Sequence, residues 1–216
     1  MPKIFLSSTE AVADISSGAS ILIGGFGICG MPLNLCKALA RRGDAGNFHL
    51  VSNAGGADGL GLGLLFEAGK VSSIIASRVG PACKAYGEQV LSGKVQLEIA
   101  PQGTLAERIR AGGAGMGGFF TPTGAGTVVA EGKETRVIGG VEQVFEKPIR
   151  CDVALVKAWK TDPAGNLLYR MAARNFNPLM AEAGKLTIVE VEEIVPLGEL
   201  DPNFVHTPGI FVRRLV

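Results

Sequence analysis

Residues 20–42 read SILIGGFGICGMPLNLCKALARR, and they predict a strand, a loop and a helix in direct succession. The apolar run SILI is typical of a buried parallel strand. Pro32 suits the first turn of a helix, because that turn needs no N–H donor, and Arg41 and Arg42 suit the negative end of the helix dipole. The glycines between the two elements allow positive φ and a close approach of the main chain to a ligand. The stretch therefore predicts a ligand-facing loop between a strand and a helix.

The same alternation continues on both sides of this unit. Before it, Ser7 and Glu10 form a capping-box pattern that predicts a short first helix. After it come three more strand and helix pairs, which read FHLVSN with LGLLFEAG, VSSIIAS with CKAYGEQVLSG, and VQLEIAP with TLAERIRAGG. Strands that alternate with helices over short links build parallel sheets with right-handed crossovers. The predicted fold class is α/β, with an open, mostly parallel sheet and helices on both faces.

The second half of the chain interrupts this pattern once. At about residues 121–148, a segment rich in proline, glycine and threonine precedes ETRVIGGVEQVFEKP, which predicts a small β-hairpin excursion. The sheet resumes with VALVKAW, and LTIVEVEEIV predicts the final strand before a tail that is interrupted by prolines. The length of 216 residues fits one domain. We therefore expect a single domain over residues 1–216, with the excursion as a side element.

Composition and charge argue against several classes of protein. Lys plus Arg (21) nearly equal Asp plus Glu (20), so the net charge of +1 predicts no basic surface for nucleic acid. The N-terminus lacks a signal-peptide pattern, and no apolar run reaches about 20 residues, so we expect a cytoplasmic protein without a membrane segment. The four cysteines lack metal-type spacing, so no metal is expected. Cys29, inside the glycine loop, is predicted to be a small buried packing residue.

The glycine loop also fits a different kind of site. Gly25, Gly27 and Gly30 satisfy G-x-G-x-x-G between a strand and a helix, which is the pattern of dinucleotide sites. Such a site also needs an acidic residue about 20 positions later to bind the ribose. The second strand ends here in Ser52-Asn53, with no carboxylate nearby. Dinucleotide binding is therefore disfavoured, although a non-catalytic nucleotide-binding module stays open as an alternative.

Seven segments, in one order along the chain, resemble the A subunits of family I coenzyme A transferases. One of them, APQGTLAERIRAGGAG, is close to identical with a block of that family. The others read SGASILIGGFGICGMP, SNAGGADGLGLGLL, TPTGAGT, ALVKAWKTDPAGNLLYR, ARNFNPLM and HTPGIFVRR. Together they cover nearly the whole chain. The resemblance is greatest to the A subunits of succinyl-CoA:3-oxoacid and 3-oxoadipate CoA transferases.

This resemblance implies a transferase that moves CoA from a short acyl-CoA, such as succinyl-CoA, to a 3-oxo acid such as acetoacetate; 3-oxoadipate and an acetate–acetoacetate exchange are the alternatives. In the family, the B subunit contributes a glutamate, within a Ser-Glu-Asn-Gly motif, that attacks the thioester, and an acyl-glutamyl anhydride and an enzyme-CoA thioester follow. No Glu-Asn-Gly occurs in this chain. The resemblance therefore implies that a B subunit is the partner, in a heterotetramer of two A and two B chains, with coenzyme A as a substrate and no bound cofactor.

The resemblance also implies site residues. Gln102 matches the family glutamine that lines the active site, and its place just after a predicted strand suits a donor to the oxyanion of acyl transfer. Asn53 matches the first asparagine of the family's SNN and is a possible second donor. The loop implied to contact the substrate and CoA contains Gly24, Gly25, Phe26, Gly27 and Gly30. Two alternatives stay open: Gln102 and Asn53 as plain turn residues, and a scaffold chain that does not line the site.

The sequence departs from the family pattern in two places. Ala54 stands where the second asparagine of SNN is expected, which removes one donor. The segment ASRVGPACKAYGEQ, which includes most of the 78–90 loop, has one additional residue and lacks the usual SSYVGEN. If this loop shapes the acid pocket, the preferred oxo acid differs from acetoacetate. Glu107, Arg108 and Arg110 are predicted to form a solvated face or an intersubunit ion pair rather than to contact a substrate.

Overall fold

A computed structural model describes all residues from 1 to 216 and contains twelve strands and six α-helices. The strands are β1 (Lys3–Ile4), β2 (Ser20–Ile23), β3 (Phe48–Val51), β4 (Val71–Ala76), β5 (Gln96–Ile99), β6 (Phe119–Thr121), β7 (Thr135–Ile138), β8 (Val141–Glu146), β9 (Cys151–Thr161), β10 (Leu167–Leu168), β11 (Gly184–Ile194) and β12 (Arg214–Leu215). The helices are α1 (Ser8–Ala11), α2 (Leu33–Arg41), α3 (Gly63–Glu67), α4 (Lys84–Leu91), α5 (Gln102–Gly113) and α6 (Asn177–Ala183).

One large sheet organises the fold. Eight strands pair in parallel in the order β1-β12-β11-β9-β2-β3-β4-β5, and β10 pairs antiparallel with β9. The chain proceeds outward from β2 to β5 on one side and continues from β9 on the other. Open α/β sheets bind ligands at such a reversal, outside the carboxyl ends of the strands. The predicted α/β class with a mostly parallel sheet is confirmed.

Helices cover both faces of this sheet, as predicted. Successive side chains of a strand point to opposite faces. Accordingly, Ile21 and Ile23 of β2 join one apolar core, which α1 to α4 cover, and Leu22 joins the other, which α5 and α6 cover. Leu35 and Leu39 of α2 are fully buried in the first core. The strand that carries the glycine loop is therefore packed on both sides.

The excursion is larger than the predicted hairpin. It is a three-stranded antiparallel sheet in the order β6-β8-β7. The hairpin from β7 to β8 turns at Gly139 and Gly140, where φ is 60° and 79°, and two positive φ values are what a two-residue type I′ turn requires. The prediction missed β6, because a three-residue run carries no usable period and its residues pair with β8 residues about 25 positions later in the chain.

The two ends of the chain also form strands, so LTIVEVEEIV is not the final strand. β12 pairs in parallel with β11, and β1 pairs with β12 at the sheet edge. Each contains two residues, too few for an alternating pattern. A distant contact fixes β12: the two terminal guanidinium nitrogens of Arg214 donate to the Asp14 carboxylate over 2.6 Å. This ion pair joins residues about 200 positions apart, which a local pattern does not reveal.

Asp152 lies near the start of β9, at the edge of the sheet formed by the amino ends of the strands. Its contribution to stability depends on pH. The Ser20 hydroxyl donates to it over 2.6 Å, Lys185 lies at 2.9 Å, and these partners, the hydroxyl first, lower the pKa of Asp152 to about 2. Because the pKa falls on folding, the stabilisation is complete above pH about 4 and is lost as the pH falls towards 2. The side chain is 49% exposed, so we expect Asp152→Asn to lower the free energy of unfolding at pH 7 by only about 0.5–1 kcal/mol.

Urea denaturation at pH 7 and pH 2.5 measures the free energy of unfolding of wild type and of Asp152→Asn. The difference in this free energy between the two proteins should be smaller at pH 2.5. A difference that stays constant with pH would contradict the assigned charge interaction.

Candidate functional site

Three loops meet at the carboxyl edge of the sheet, where the strand order reverses. They are the glycine loop after β2, Ser52-Asn53 after β3 and Pro101-Gln102 after β5. The Ser52 hydroxyl donates to the Ile23 carbonyl over 2.9 Å, which ties the end of β3 to the end of β2. Asn53 is only 2% exposed. The structure therefore brings the predicted site residues together at one place.

A chain of hydrogen bonds connects the three loops. The Gly27 N–H donates to Asn53 Oδ1 over 3.2 Å, and Asn53 Nδ2 donates to Gln102 Oε1 over 2.9 Å. A main-chain N–H can only donate, so it fixes which end of the Asn53 amide faces Gly27. Asn53 must then donate to Gln102, and Gln102 must accept through its oxygen. The fold thus determines that the Gln102 NH₂ group is the end left without a partner.

The NH₂ group of Gln102 is unusual because it is a buried hydrogen-bond donor without a partner. Gln102 Nε2 is inaccessible to solvent and has no hydrogen-bond partner within the chain. A buried donor without a partner costs about 1–3 kcal/mol, so native proteins keep few of them. A neutral, fixed donor at a sheet's carboxyl edge can stabilise negative charge that develops on a substrate oxygen. Asn53 lies behind Gln102 and orients it.

The glycine loop presents a tight turn beside this donor. Phe26 and Cys29 exchange two main-chain hydrogen bonds of 3.0 and 3.2 Å, and Phe26 is 47% exposed at the tip. The φ values of 111°, 61° and 71° lie in the left-handed region at Gly25, Gly27 and Gly30. Gly27 has this conformation and also donates its N–H to Asn53, which gives the glycine a direct role in the hydrogen-bond chain.

Asn177 holds the loop in place, and the sequence analysis missed this residue. It is fully buried; its Oδ1 accepts from the Lys157 N–H over 3.0 Å, and its Nδ2 donates to the carbonyls of Gly30 (2.9 Å) and Ala173 (2.8 Å). A Cβ at Gly24 would lie 1.9 Å from Asn177 Oδ1. Asn177 lies in the ARNFNPLM segment, so the resemblance marked the segment without indicating which residue mattered.

An apolar pocket of about 320 Å³ opens next to Gln102. Its wall includes Phe26 from the glycine loop, Ala106 from α5 and Leu179 from α6, and no charged side chain lines it. A pocket of this kind can hold an alkyl group beside Gln102. Recognition of a charged group at this edge must come from elsewhere.

The dinucleotide alternative fails at the start of α2. In a dinucleotide site, the first amides of this helix bind the pyrophosphate. Here the N–H groups of Asn34 (2.8 Å) and Leu35 (3.1 Å) donate to the Glu190 carboxylate of β11. Burial raises the pKa of Glu190, and the two amides oppose that rise. The protein's own carboxylate thus occupies the position that a nucleotide would need.

Two predictions about single residues are wrong. Cys29 is exposed and not a buried packing residue, because its side chain lies on the tip of the turn while its carbonyl accepts from Asn175. The side chain of Arg108 is only 9% exposed and is not part of a solvated face: within the chain it contacts Glu98 and, at 3.7 Å, Glu146. This cluster joins α5 to the three-stranded sheet.

The remaining pair on α5 behaves as predicted. Arg110 and Glu107 lie one turn apart and form an exposed ion pair of 2.7 Å. Such exposed pairs contribute little to stability.

No group of three or more His, Cys, Asp or Glu side chains in the chain could hold a metal ion. None of the helices has both the length and the apolar character needed to cross a membrane.

Comparison with known proteins places this geometry in context. A family model described as coenzyme A transferase matches residues 5–216. Over 216 residues the chain is 52% identical to the A subunit of a probable succinyl-CoA:3-ketoacid coenzyme A transferase from Bacillus subtilis, and the match covers 100% of this chain and 90% of that protein. It is 51% identical over 215 residues to the A subunit of the succinyl-CoA:3-ketoacid coenzyme A transferase from Xanthomonas campestris pv. campestris, covering 99% and 88% of the two chains.

A solved structure shares the fold. The acyl-CoA transferase YdiF of Escherichia coli O157:H7, determined as a thioester complex with CoA, superposes with a TM-score of 0.88 at 23% sequence identity. The match covers 100% of this chain and 47% of that one, so this chain spans about half the length of the E. coli protein.

Proposed function

Because the chain belongs to the coenzyme A transferase family, we propose that it is the A-type half of an enzyme that transfers CoA from succinyl-CoA to a 3-oxo acid such as acetoacetate. The relatives from B. subtilis and X. campestris, which carry these substrates in their names, support this choice. The proposal adds a partner and a mechanism to the family assignment, and both rest on the residues at the carboxyl edge.

The observation that carries the proposal is the unpaired NH₂ of Gln102. Acyl transfer passes through tetrahedral intermediates in which the carbonyl oxygen becomes an oxyanion. A neutral amide donor that is already oriented stabilises that oxygen without bringing a competing charge. Gln102 has this character, since the Gly27 N–H orients Asn53 and Asn53 orients the Gln102 amide. Its Nε2 is covered in the chain alone, so binding of the substrate or of the partner must uncover it.

The proposed reaction needs a nucleophile that this chain does not supply. A glutamate carboxylate of the partner attacks the thioester carbonyl, the C–S bond breaks, and an acyl-glutamyl anhydride and CoA thiolate form. The thiolate then attacks the glutamyl carbonyl of the anhydride, which releases the first acid as its carboxylate and leaves an enzyme-CoA thioester. The second acid takes CoA by the reverse sequence, so no proton or electron is gained or lost. Gln102 stabilises the oxyanions in these steps.

Three features support a B-type partner. The chain has no Glu-Asn-Gly sequence. It spans 47% of the similar E. coli transferase, so about half of that chain has no counterpart here. The glycine loop, finally, exposes Phe26 and Ile28, 47% and 55%, next to the free donor, which suits contact with a second chain. We propose two A and two B chains in the complete enzyme.

Reconstitution tests the proposal. We expect the isolated chain to transfer no CoA, and its complex with a B-type subunit to transfer CoA from succinyl-CoA to acetoacetate, with 3-oxoadipate and acetate as the comparison acceptors. A complex in which the B-chain glutamate is replaced by alanine is the matched control. Full activity of the isolated chain, or no transfer by the complex to any of the three acids, would contradict the proposal.

Asn53→Asp tests the orienting role of Asn53. An aspartate still accepts from the Gly27 N–H, but it cannot donate to Gln102 Oε1. Gln102 is then expected to rotate its NH₂ towards the new carboxylate, which removes the free donor. We expect kcat of the complex to fall by about 10²-fold, the usual cost of losing one oxyanion donor. If Asn53→Asp retained the wild-type kcat, the hydrogen-bond chain would have no part in turnover.

A further inference from the structure

The apolar pocket beside Gln102 shares two residues with the proposed acyl-transfer site. Gln102 is part of its lining, and so is Phe26 at the tip of the glycine loop. Ala106, also in the lining, follows Gln102 by one turn of α5, so the two side chains lie on the same face of that helix. Leu179 of α6 adds to the apolar wall. An acyl group bound at Gln102 therefore lies next to this pocket.

The polar side chains in the lining leave a single atom without a partner. Asn175 donates to two main-chain carbonyls, over 3.0 and 2.9 Å, and its Oδ1 accepts from the Phe176 N–H over 2.7 Å. Gln102 Oε1 accepts from Asn53, so Gln102 Nε2 is the remaining unpaired atom. The pocket therefore combines one polar anchor, at Gln102, with apolar walls.

This combination favours an alkyl chain over a charged one. No charged side chain lines the pocket. Each methylene group that moves from water to an apolar wall favours binding by about fourfold. A carboxylate in the same position would lose its hydration and gain no partner. The pocket thus suits a molecule that has a carbonyl group at one end and an alkyl group at the other.

The two substrates of a CoA transfer depend on such a pocket to different degrees. The donor brings the whole CoA moiety, and contacts with that remote part supply binding energy. The acceptor meets the enzyme-CoA thioester as a free acid, so it has only its own short chain with which to bind. Selection of the acceptor therefore rests on the residues around its acyl chain.

We propose that the pocket is the subsite for the alkyl end of the 3-oxo acid acceptor, and that Ala106 is a specificity-determining residue that sets the length of this end. The inference rests on the proposed function and adds the class of acid to it. The acid has an alkyl end, as acetoacetate and its longer homologues do, and not a second carboxylate.

Two acceptors of equal length test this inference. 3-Oxohexanoate and 3-oxoadipate both have six carbons and a 3-oxo group, and they differ in the methyl or carboxylate at the far end. The complex with the B-type subunit is assayed with succinyl-CoA as donor and each of these acids, or acetoacetate, as acceptor. The variants are Ala106→Leu, which fills the pocket, and Ala106→Lys, which adds a cation to it. The matched control is Ala114→Leu, at an exposed alanine that ends α5. Circular dichroism verifies folding, and sedimentation verifies that the complex forms.

We expect kcat/KM of the wild-type complex to be higher for 3-oxohexanoate than for 3-oxoadipate by about 10-fold or more. Ala106→Leu should lower kcat/KM for 3-oxohexanoate by about 10-fold, because two methylene groups lose their place in the pocket, and should lower it less for the shorter acetoacetate. Ala106→Lys should shift the preference towards 3-oxoadipate, since its ammonium group can pair with the distal carboxylate. Ala114→Leu should leave these ratios unchanged.

Three results would overturn the inference. They are a wild-type preference for 3-oxoadipate, an equal loss with all three acids in Ala106→Leu, and a folded Ala106→Leu chain that no longer binds the B-type subunit. The first two would still leave the proposed CoA transfer in place, and the third would assign the pocket to the contact between subunits. A wild-type complex that transfers CoA to none of the three acids would contradict the proposed function itself.

Discussion

Replacing Gln102 by alanine is expected to lower kcat/KM of the assembled transferase by about 10²–10³-fold, the usual cost of removing one oxyanion donor. The side chain contributes its NH₂ to the site and accepts one hydrogen bond from Asn53 over 2.9 Å. Alanine removes the donor without adding charge or bulk. Because the proposed contact forms with the oxyanion and not with the ground-state carbonyl, the loss should appear in kcat more than in KM. Steady-state kinetics with succinyl-CoA and acetoacetate measure both constants.

The chain offers a matched control for this substitution. Gln89 of α4 is another glutamine with an unpaired buried atom: its Oε1 has no partner, and its Nε2 donates to the Phe66 carbonyl over 2.7 Å. Gln89→Ala should lower stability by about 1 kcal/mol and leave kcat unchanged. If Gln102→Ala affected turnover no more than Gln89→Ala, the chain would be a scaffold for its partner and would not line the site.

The second large effect concerns the space between Gly24 and Asn177. Gly24→Ala is expected to lower the free energy of unfolding by about 3 kcal/mol, because the new methyl would lie 1.9 Å from Asn177 Oδ1 and must displace a fully buried side chain. Displacement breaks the bonds that Asn177 makes to Lys157, Gly30 and Ala173. Urea denaturation of the purified chain measures the change.

A double-mutant cycle separates this clash from a general effect of alanine. Asn177→Ala alone should also cost about 3 kcal/mol, since it leaves one N–H and two carbonyls without their partner. In that background the space is empty, so Gly24→Ala should add little, and the coupling should reach about 2–3 kcal/mol. Gly43→Ala is the control, because a Cβ there meets nothing within 4 Å. Additive losses from Gly24→Ala and Asn177→Ala would contradict the steric account.

The sequence predicts the alternating part of the fold because each element carries its own local signal. Ser7 caps α1 by accepting from the Glu10 N–H, as the capping pattern indicated, and the apolar run Ser20–Ile23 is the central strand β2. The strands that it missed, β1, β6 and β12, have two or three residues and depend on partners far along the chain. No local period exists in such short segments, so only tertiary pairing defines them.

The candidate site also has features that the sequence predicts and features that only the structure shows. Gln102 and Asn53 were found through motifs, and the end of a parallel strand is a position that local reading can recognise. Their mutual hydrogen bond was not predictable, since it joins residues 49 positions apart. Glu190 lies 156 positions from the helix start that it occupies. The exposure of Cys29 and the burial of Arg108 likewise follow from how neighbouring loops pack, which composition and spacing do not contain.

The link from the Gly27 N–H through Asn53 to Gln102 has a consequence for how the enzyme assembles. Because this chain of hydrogen bonds begins at the main-chain N–H of Gly27, the orientation of the Gln102 amide is fixed as soon as this one chain folds. The conformational entropy of ordering that amide is lost once, during biosynthesis, and not again in each catalytic cycle. In the proposed complex, the B-type subunit therefore meets an amide whose orientation is already set and contributes the reactive glutamate.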